Sequence, residues 1–236
     1  MASAEHEDFA RREATAALEG LLESSDWFWM NRPSRVRAAE NKVVQLAVAS
    51  RLGFCIPKTL VTNDPAAARM FLREFPRAVT KSLSTGATVV GGERWMMFTS
   101  PVLEKDLMPE EALKLSPCIF QEAVRKKADL RVTVVGREIF AARISGGDTD
   151  EVDWRAVDRA NLTYEVCSLP QTLKRKCLSL MSELGLVFGG MDFVIGPDGE
   201  YVFLEINPSG QWGWIEYETG HKITDCIVEL LLSPGR

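Results

Sequence analysis

An α+β fold is predicted by three features of the sequence. Helical periodicity dominates the first third, short strand-like runs fill the middle, and a long apolar hairpin pattern precedes a last helix. These elements do not alternate as regular β-α-β units. That favours antiparallel layers with helices packed on them over a parallel doubly wound sheet.

The elements follow in order. Residues 8 to 23 set Ala14, Ala17, Leu18, Leu21 and Leu22 on one stripe and read as a helix. D-W-F-W-M-N-R-P-S-R breaks it. A second helix is expected from about Val36 to Leu52, stopped by Gly53 with Pro57 beyond. Asn63-Asp64-Pro65 starts a third: Asp64 as cap, Pro65 at the first helical position, and an end near Pro76. R-A-V-T-K-S-L, R-W-M-M-F-T, C-I-F-Q-E-A, L-R-V-T-V-V-G and R-E-I-F-A-A-R-I then read as strands, with Val135-Gly136-Arg137 as a hairpin tip. Residues 145 to 153 form an acidic loop. Pro170 opens a helix that stops at Gly185. V-F-G-G-M-D-F-V-I-G and Y-V-F-L-E-I-N flank Gly-Pro-Asp-Gly and read as a β-hairpin. A last helix covers about Ile215 to Leu232.

Composition excludes several functions. The chain of 236 residues is long enough for a sizeable core, and its 46% hydrophobic and 26% charged content is that of a globular protein. A net charge of −5 with no long Lys/Arg run argues against a nucleic-acid partner and against an anionic membrane surface. No apolar run approaches a membrane span, and the first 25 residues are too charged for a signal peptide and too acidic for a transit peptide. The five cysteines are odd in number and form no C-x-x-C, so a reducing cytoplasm is the expected compartment. Two histidines, His6 and His221, leave little for a triad or a His-based metal site.

Several motifs fail on inspection. Gly86-Ala-Thr-Val-Val-Gly91 has P-loop glycine spacing, but Gly92 stands where a lysine is required. The acidic loop carries Asp148 and Asp150 without the later ligands and glycine of a calcium loop, so it reads as a solvated loop.

The hairpin is more informative. Strand parity sets Tyr201, Phe203, Glu205 and Asn207 on one face. A two- or four-residue loop at Gly196–Gly199 pairs Asp192 with Phe203, diagonal to Glu205; a bulge would shift that register. Two carboxylates and an amide oxygen then converge, a hard-oxygen set that suits magnesium with phosphate and water completing its shell. Taken alone, Glu205 and Asn207 equally suit the wet face of an edge hairpin. Lys81 shifts the balance. It shares a face with Val79 and Leu83, where a lysine must meet an anion or snorkel out, and S-T-G-A-T-V-V-G-G follows at once. Flexible glycine backbone can donate N–H groups to phosphates. Lysine, glycine loop and oxygen cluster together read as a nucleoside triphosphate site of a kind other than the P-loop.

On these residues the chain resembles the ATP-grasp ligases, and among them the graspetide (microviridin-type) peptide maturases. The resemblance runs from about Phe9 to Leu232. It rests on N-R-P, E-N-K-V-V-Q-L-A-V-A-S-R-L-G-F-C-I-P-K-T-L-V-T-N-D-P, F-Q-E-A-V, D-L-R-V-T-V-V-G, D-W-R and the stretch from Gly189 to Glu216. The D-x12-E-x-N spacing is general to the fold; N-P-S-G-Q-W-G-W-I-E is narrower and belongs to the peptide maturases.

The resemblance implies an ATP-grasp fold, two α+β subdomains gripping ATP, over residues 31–236. The first would span about 35–120 with the glycine loop and the second 121–236 with the metal site. Residues 1–30 would be the remnant helix of a family N-terminal domain that is otherwise lacking. Asp192, Glu205 and Asn207 would hold two Mg2+ ions, and Lys42 and Lys81 the phosphates of ATP. Gln121, Glu122 and the backbone of Val124 would line the adenine pocket, and Asp129 would reach the ribose. Arg131, Arg143 and Arg155 would face the phosphoryl group and substrate carboxylate. Lys42 taken alone passes for an exposed helix lysine, Arg143 for a strand-edge charge, and Gln121 for an exposed strand residue.

The implied partner is a precursor peptide with a leader segment, whose Asp/Glu side chains would be activated and joined to Ser/Thr hydroxyls or Lys amines. A homodimer stays open. Two other readings also stay open: a ligase that adds amino acids to a protein tail or joins small metabolites, and a non-catalytic nucleotide- or peptide-binding remnant. Trp212 and Trp214 read as core plugs, or as a wall of the peptide cleft.

Overall fold

The computed structural model describes residues 4–83, 87–96, 99–146 and 159–233. Helix α1 (Ala4–Ser24) leads into α2 (Pro33–Ala39), α3 (Lys42–Arg51), β1 (Thr59–Thr62), α4 (Pro65–Glu74) and β2 (Ala78–Lys81). Strands β3 (Ala87–Val90), β4 (Glu93–Met96) and β5 (Ser100–Val102) follow, then α5 (Glu110–Lys114), β6 (Cys118–Glu122), β7 (Ala128–Val135) and β8 (Glu138–Gly146). After β9 (Leu162–Val166) come α6 (Gln171–Leu184), β10 (Phe188–Ile195), β11 (Tyr201–Asn207), α7 (Gly213–Thr219) and α8 (Ile223–Leu232).

Two antiparallel sheets organise the chain. The first has the order β1-β6-β2-β5 and the second β11-β10-β7-β8-β9, with β3 and β4 as a separate two-stranded ribbon. Helix α4 covers the first sheet, burying Ala68 and Leu72 against Ala78, Val102 and Phe120. On the second sheet, α3 and α6 bury Leu46, Leu173, Leu180 and Met181 against Leu130, Val132, Met191, Phe203 and Ile206. The opposite face of that sheet is covered at one end by α7 and α8, where Ile215, Ile223 and Ile227 meet Val135, Ala142 and Phe188.

Local chemistry explains the element ends. The Asp64 side chain accepts from the Ala66 N–H with Pro65 behind it, as expected for that start. Gly185 takes a left-handed φ of 67° to end α6. Glu23 accepts from the Ser34 backbone N–H at 2.7 Å and its hydroxyl at 2.9 Å, capping α2. The backbone hydrogen bond from Ser34, more than any other contact, holds the Glu23 carboxyl below its ordinary range.

Three expectations are corrected. The helix expected from Val36 to Leu52 is two helices, because the Asn41 side chain accepts from the Val43 and Val44 N–H groups and restarts the chain as α3. The helix expected from Ile215 to Leu232 is broken at Gly220, which adopts a φ of 72°. The Glu216 carboxylate then accepts from the Thr224 N–H at 2.7 Å, serving the start of α8.

The third correction is the hairpin register. The connection spans residues 196–200, with Ile195 opposite Tyr201 and Phe193 opposite Phe203. A bulge then sets Asp192 directly opposite Glu205, not opposite Phe203, and leaves Leu204 as the extra residue. Phe203 and Glu205 therefore do not share a face. Phe203 is fully buried against Phe54 and Phe193, with ring centroids 5.4 and 5.5 Å away.

Candidate active site

Glu205 and Asp192 stand opposite each other on β11 and β10, each about four-fifths buried. The bulge turns Glu205 onto the Asp192 face after Phe203 has entered the core. Asn207, paired with Gly190, lies two residues further along that face, and its Oδ1 accepts from the Ser209 N–H at 2.9 Å.

Two amide side chains fix this end of the hairpin. Gln45 donates from Nε2 to the carbonyls of Ala39 (2.6 Å) and Ile206 (2.8 Å), while its Oε1 accepts from the Ile206 N–H (3.0 Å). Asn31 donates to the carbonyls of Phe188 and Pro208, and accepts from the N–H groups of Val187 and Phe188. Both are buried, so each lost bond would strand a polar group out of water.

Cations approach the carboxylates from other elements. Lys42 opens α3 because Asn41 caps it, and its Nζ lies 3.6 Å from Glu205 Oε2. Lys81, at the end of β2 in the first sheet, reaches the same oxygen at 3.9 Å with its side chain 8% exposed. This lysine is buried, and it does not snorkel into solvent. Arg131, on β7 opposite Asp192, places Nη1 3.0 Å from Asp192 Oδ1 and Nη2 3.4 Å from the Gln211 carbonyl. Its Nε and the hydroxyl of Thr133, two residues along the same face, are buried without a hydrogen-bond partner.

Lys81, Asp192 and Glu205 line one cleft. Gln121, Glu122, Val124 and Asp129 line it too. Gln121 is 3% exposed and donates to the Thr59 hydroxyl at 2.9 Å, so it is no exposed strand residue. Val79, Phe193, Val194 and Leu204 supply apolar wall.

Lys126 also lines this cleft and pairs with Asp129 at 2.7 Å, both largely buried. Sequence reading passed over it because Arg125-Lys126-Lys127 reads as a solvated run. The available signal was its position between two strands that both carry site residues.

One expected residue is set apart from the cluster. Arg143 pairs across the ladder with Leu130 and shares its face, the one under α6, whereas Arg131 pairs with Ala142 on the other. The Arg143 Nε donates to Ser145 Oγ at 3.2 Å. The register thus sets its strand position on the face away from Asp192. Arg155 lies outside the described residues, as do Ser84, Thr85 and Gly86 of the glycine-bearing segment and residues 147–153 of the acidic loop. Gly91 and Gly92 form the turn between β3 and β4, with φ of 60° and 86°.

Among the described residues, no cluster unites three or more His, Cys, Asp or Glu side chains. The candidate metal site is two carboxylates and an amide, hard oxygens few in number. That donor set fits magnesium, which leaves most of its shell to water and phosphate. No cysteine lines the cleft. Burial raises the thiols of Cys118, Cys167 and Cys226, and pushes Cys177 up to about 12. No described helix is long and apolar enough to cross a membrane.

A model of the RimK-like ATP-grasp domain matches residues 39–231. The structure is similar to the macrocyclase MdnC of Microcystis aeruginosa MRC, bound with precursor peptide MdnA. The two are 34% identical, with a TM-score of 0.85, over 98% of this chain and 73% of that one. It is also similar to a Chryseobacterium gregarium RiPP-associated ATP-grasp ligase in complex with ADP and a leader and core peptide. There the identity is 32%, the TM-score 0.85, and the coverage 98% of this chain and 71% of that one. A tetrahydromethanopterin:alpha-L-glutamate ligase of Methanocaldococcus jannaschii is 24% identical over 211 residues, which are 86% of this chain and 69% of the relative.

Proposed function

Since this chain belongs to the RimK-like ATP-grasp family, we propose that it is a peptide-modifying ligase that activates Asp or Glu side chains with ATP and joins them to hydroxyls or amines. The observation that carries the chemistry is the Asp192–Glu205 pair set by the bulge, with Lys42, Lys81 and Arg131 converging on it. The likeness to two peptide-bound ligases supports the choice of substrate.

The residues take these roles. Asp192, Glu205 and Asn207 would hold magnesium, which supplies charge neutralisation at phosphate oxygens. Lys42 and Lys81 bind phosphates. Gln121, Glu122 and the Val124 backbone line the adenine end, and the Asp129 carboxylate, steadied by Lys126, receives the ribose. Arg131 orients the substrate carboxylate in line with the γ-phosphorus. One carboxylate oxygen attacks that phosphorus and ADP leaves, giving an acyl phosphate. A Ser/Thr hydroxyl or Lys amine then attacks the carbonyl carbon, loses its proton and expels inorganic phosphate. Each bond made removes one water from the peptide overall. A protein nucleophile has no part in this, in keeping with the raised thiols.

The test is mass spectrometry of a leader-bearing acidic peptide incubated with the protein. Loss of whole multiples of one water, only with ATP and magnesium, is expected. Ester links revert in mild base and amide links persist. The likeness to a glutamate ligase favours a second reading, transfer of free glutamate onto an acceptor. A mass gain by glutamate residues with no cyclised peptide would select it.

A further inference from the structure

We propose that Thr133 is a positioning residue for the ligase reaction, holding Arg131 through one buried water that the two side chains share. This rests on the reading of Arg131 as the group that orients the substrate carboxylate. Among the described residues, Arg131 Nε and Thr133 Oγ1 are buried side-chain atoms without a hydrogen-bond partner. The two residues are 7% and 1% exposed. They lie two apart on β7, so both side chains stand on the same face of the sheet.

The outer nitrogens of the guanidinium are already held. Nη1 donates to Asp192 Oδ1 at 3.0 Å and Nη2 to the Gln211 carbonyl at 3.4 Å. That leaves the Nε–H, a charged donor that a guanidinium cannot shed. Gly190 is paired with Thr133 across the β7–β10 ladder. A Cβ built on Gly190 would lie 3.0 Å from Nε, so the guanidinium leans over Gly190, beside Thr133. Directly opposed Cβ positions lie roughly 4.5–5.5 Å apart. The two atoms do not bond each other. One water spans such a gap, at roughly 2.8–3.0 Å from each.

The chemistry of the pair selects water. The Nε–H can only donate, and the hydroxyl can accept. A water oxygen accepts from Nε and returns one hydrogen to Oγ1, which gives a buried water the two partners it needs. Gly190 and Ala142 leave the room. One has no side chain, and the other, opposite Arg131 on β8, has only a methyl group. Beyond Thr133 the face turns apolar, with Val135, Phe140 and Phe188 under α7 and α8. A guanidinium held by Asp192, by the Gln211 carbonyl and by this water has three fixed points. It cannot swing about its contact to Asp192.

The experiment looks for the water in a high-resolution crystal structure and compares Thr133→Val and Thr133→Ser with wild type by peptide kinetics and thermal melts. Density for a water within about 3.2 Å of both Arg131 Nε and Thr133 Oγ1 is expected. Thr133→Val keeps the shape and removes the hydroxyl. It is expected to lower kcat for the peptide about tenfold with KM for ATP within about twofold, since a misplaced orienting group acts on the chemical step. Thr133→Ser should restore most of that loss. A stranded hydroxyl would behave oppositely: valine would raise Tm and leave kcat unchanged. That result, or density that shows no water between the two atoms, overturns the proposal. A lower Tm with unchanged kcat makes Thr133 structural, and equal losses in both variants make the effect steric; either overturns it. Arg131→Ala separates the two levels: if it keeps peptide turnover, the reading of Arg131 fails with the water still in place.

Discussion

Gly189 and Gly190 are neighbours on β10 that face opposite sides of the sheet, and alanine at each is expected to fail differently. A Cβ at Gly190 would lie 2.5 Å from Arg131 Cζ and 3.0 Å from its Nε, and would also overlap Nη2. Ordinary carbon contacts need roughly 3.5–4.0 Å, so the guanidinium must move by about 1 Å or more. Gly210 crowds the same group from another side, since a Cβ there would stand 2.5 Å from Nη2. A shift of that size stretches the 3.0 Å contact to Asp192 beyond hydrogen-bond reach. A hydrogen bond to a charged group is worth roughly 1.5–3 kcal/mol. At about 1.4 kcal/mol per tenfold, kcat/KM for the peptide should fall about 10- to 100-fold in Gly190→Ala. A Cβ at Gly189 instead meets Ile206 Cδ1 at 3.0 Å and Met181 Sδ at 3.3 Å, in the core beneath α6. Gly189→Ala should lower Tm by several degrees, through overpacking of about 1–3 kcal/mol, and leave kcat/KM within about threefold. Steady-state kinetics and thermal melts on both variants form the assay. A Gly190→Ala enzyme with wild-type kcat/KM would refute the argument, because Arg131 would then be free to move without consequence.

Arg143→Ala should keep turnover within about threefold of wild type while Arg131→Ala loses most of it, since the register puts Arg143 on the face away from Asp192. Comparable losses in both would mean that β8 does not hold its register in solution. Cys177, fully buried with its thiol pushed up to about 12, should resist a maleimide reagent at pH 8 for as long as the protein stays folded. Peptide mapping of native and denatured samples checks this, and rapid native labelling at Cys177 would contradict the packing of α6.

The residues of the site were more legible than their arrangement. Gly-Pro-Asp-Gly between apolar runs marked the β10–β11 hairpin, and Asp64-Pro65 marked the start of α4, because turn and cap residues act locally. The bulge carries no such mark. Alternation counts residues, and an extra one at Leu204 changes the count without altering the residue types. Asn41 sat inside an apolar stretch that periodicity reads as continuous helix, although an asparagine there is a cap signal in its own right. The placement of Arg143 turned on the length of one hairpin tip. With Val135-Gly136-Arg137 as the tip, counting back sets Arg143 opposite Asp129, on the Arg131 face; the observed turn is one residue shorter, so Val135 faces Glu138 and Arg143 faces Leu130. Lys126 became a site residue only when the strands on either side of it were brought together at the cleft.

Gln45 has a consequence beyond holding the site. Strand β11 ends its sheet, and a bare sheet margin normally invites another chain to add itself. Here the amide of one glutamine imitates a peptide unit, donating to the Ile206 carbonyl and accepting from its N–H, while the Cys55 carbonyl takes the N–H of Phe203. These two positions of the margin are satisfied by the chain itself. At Phe203 and Ile206 an added strand would meet backbone groups that are already bonded. The face of β11 that carries Glu205 is left to the cleft.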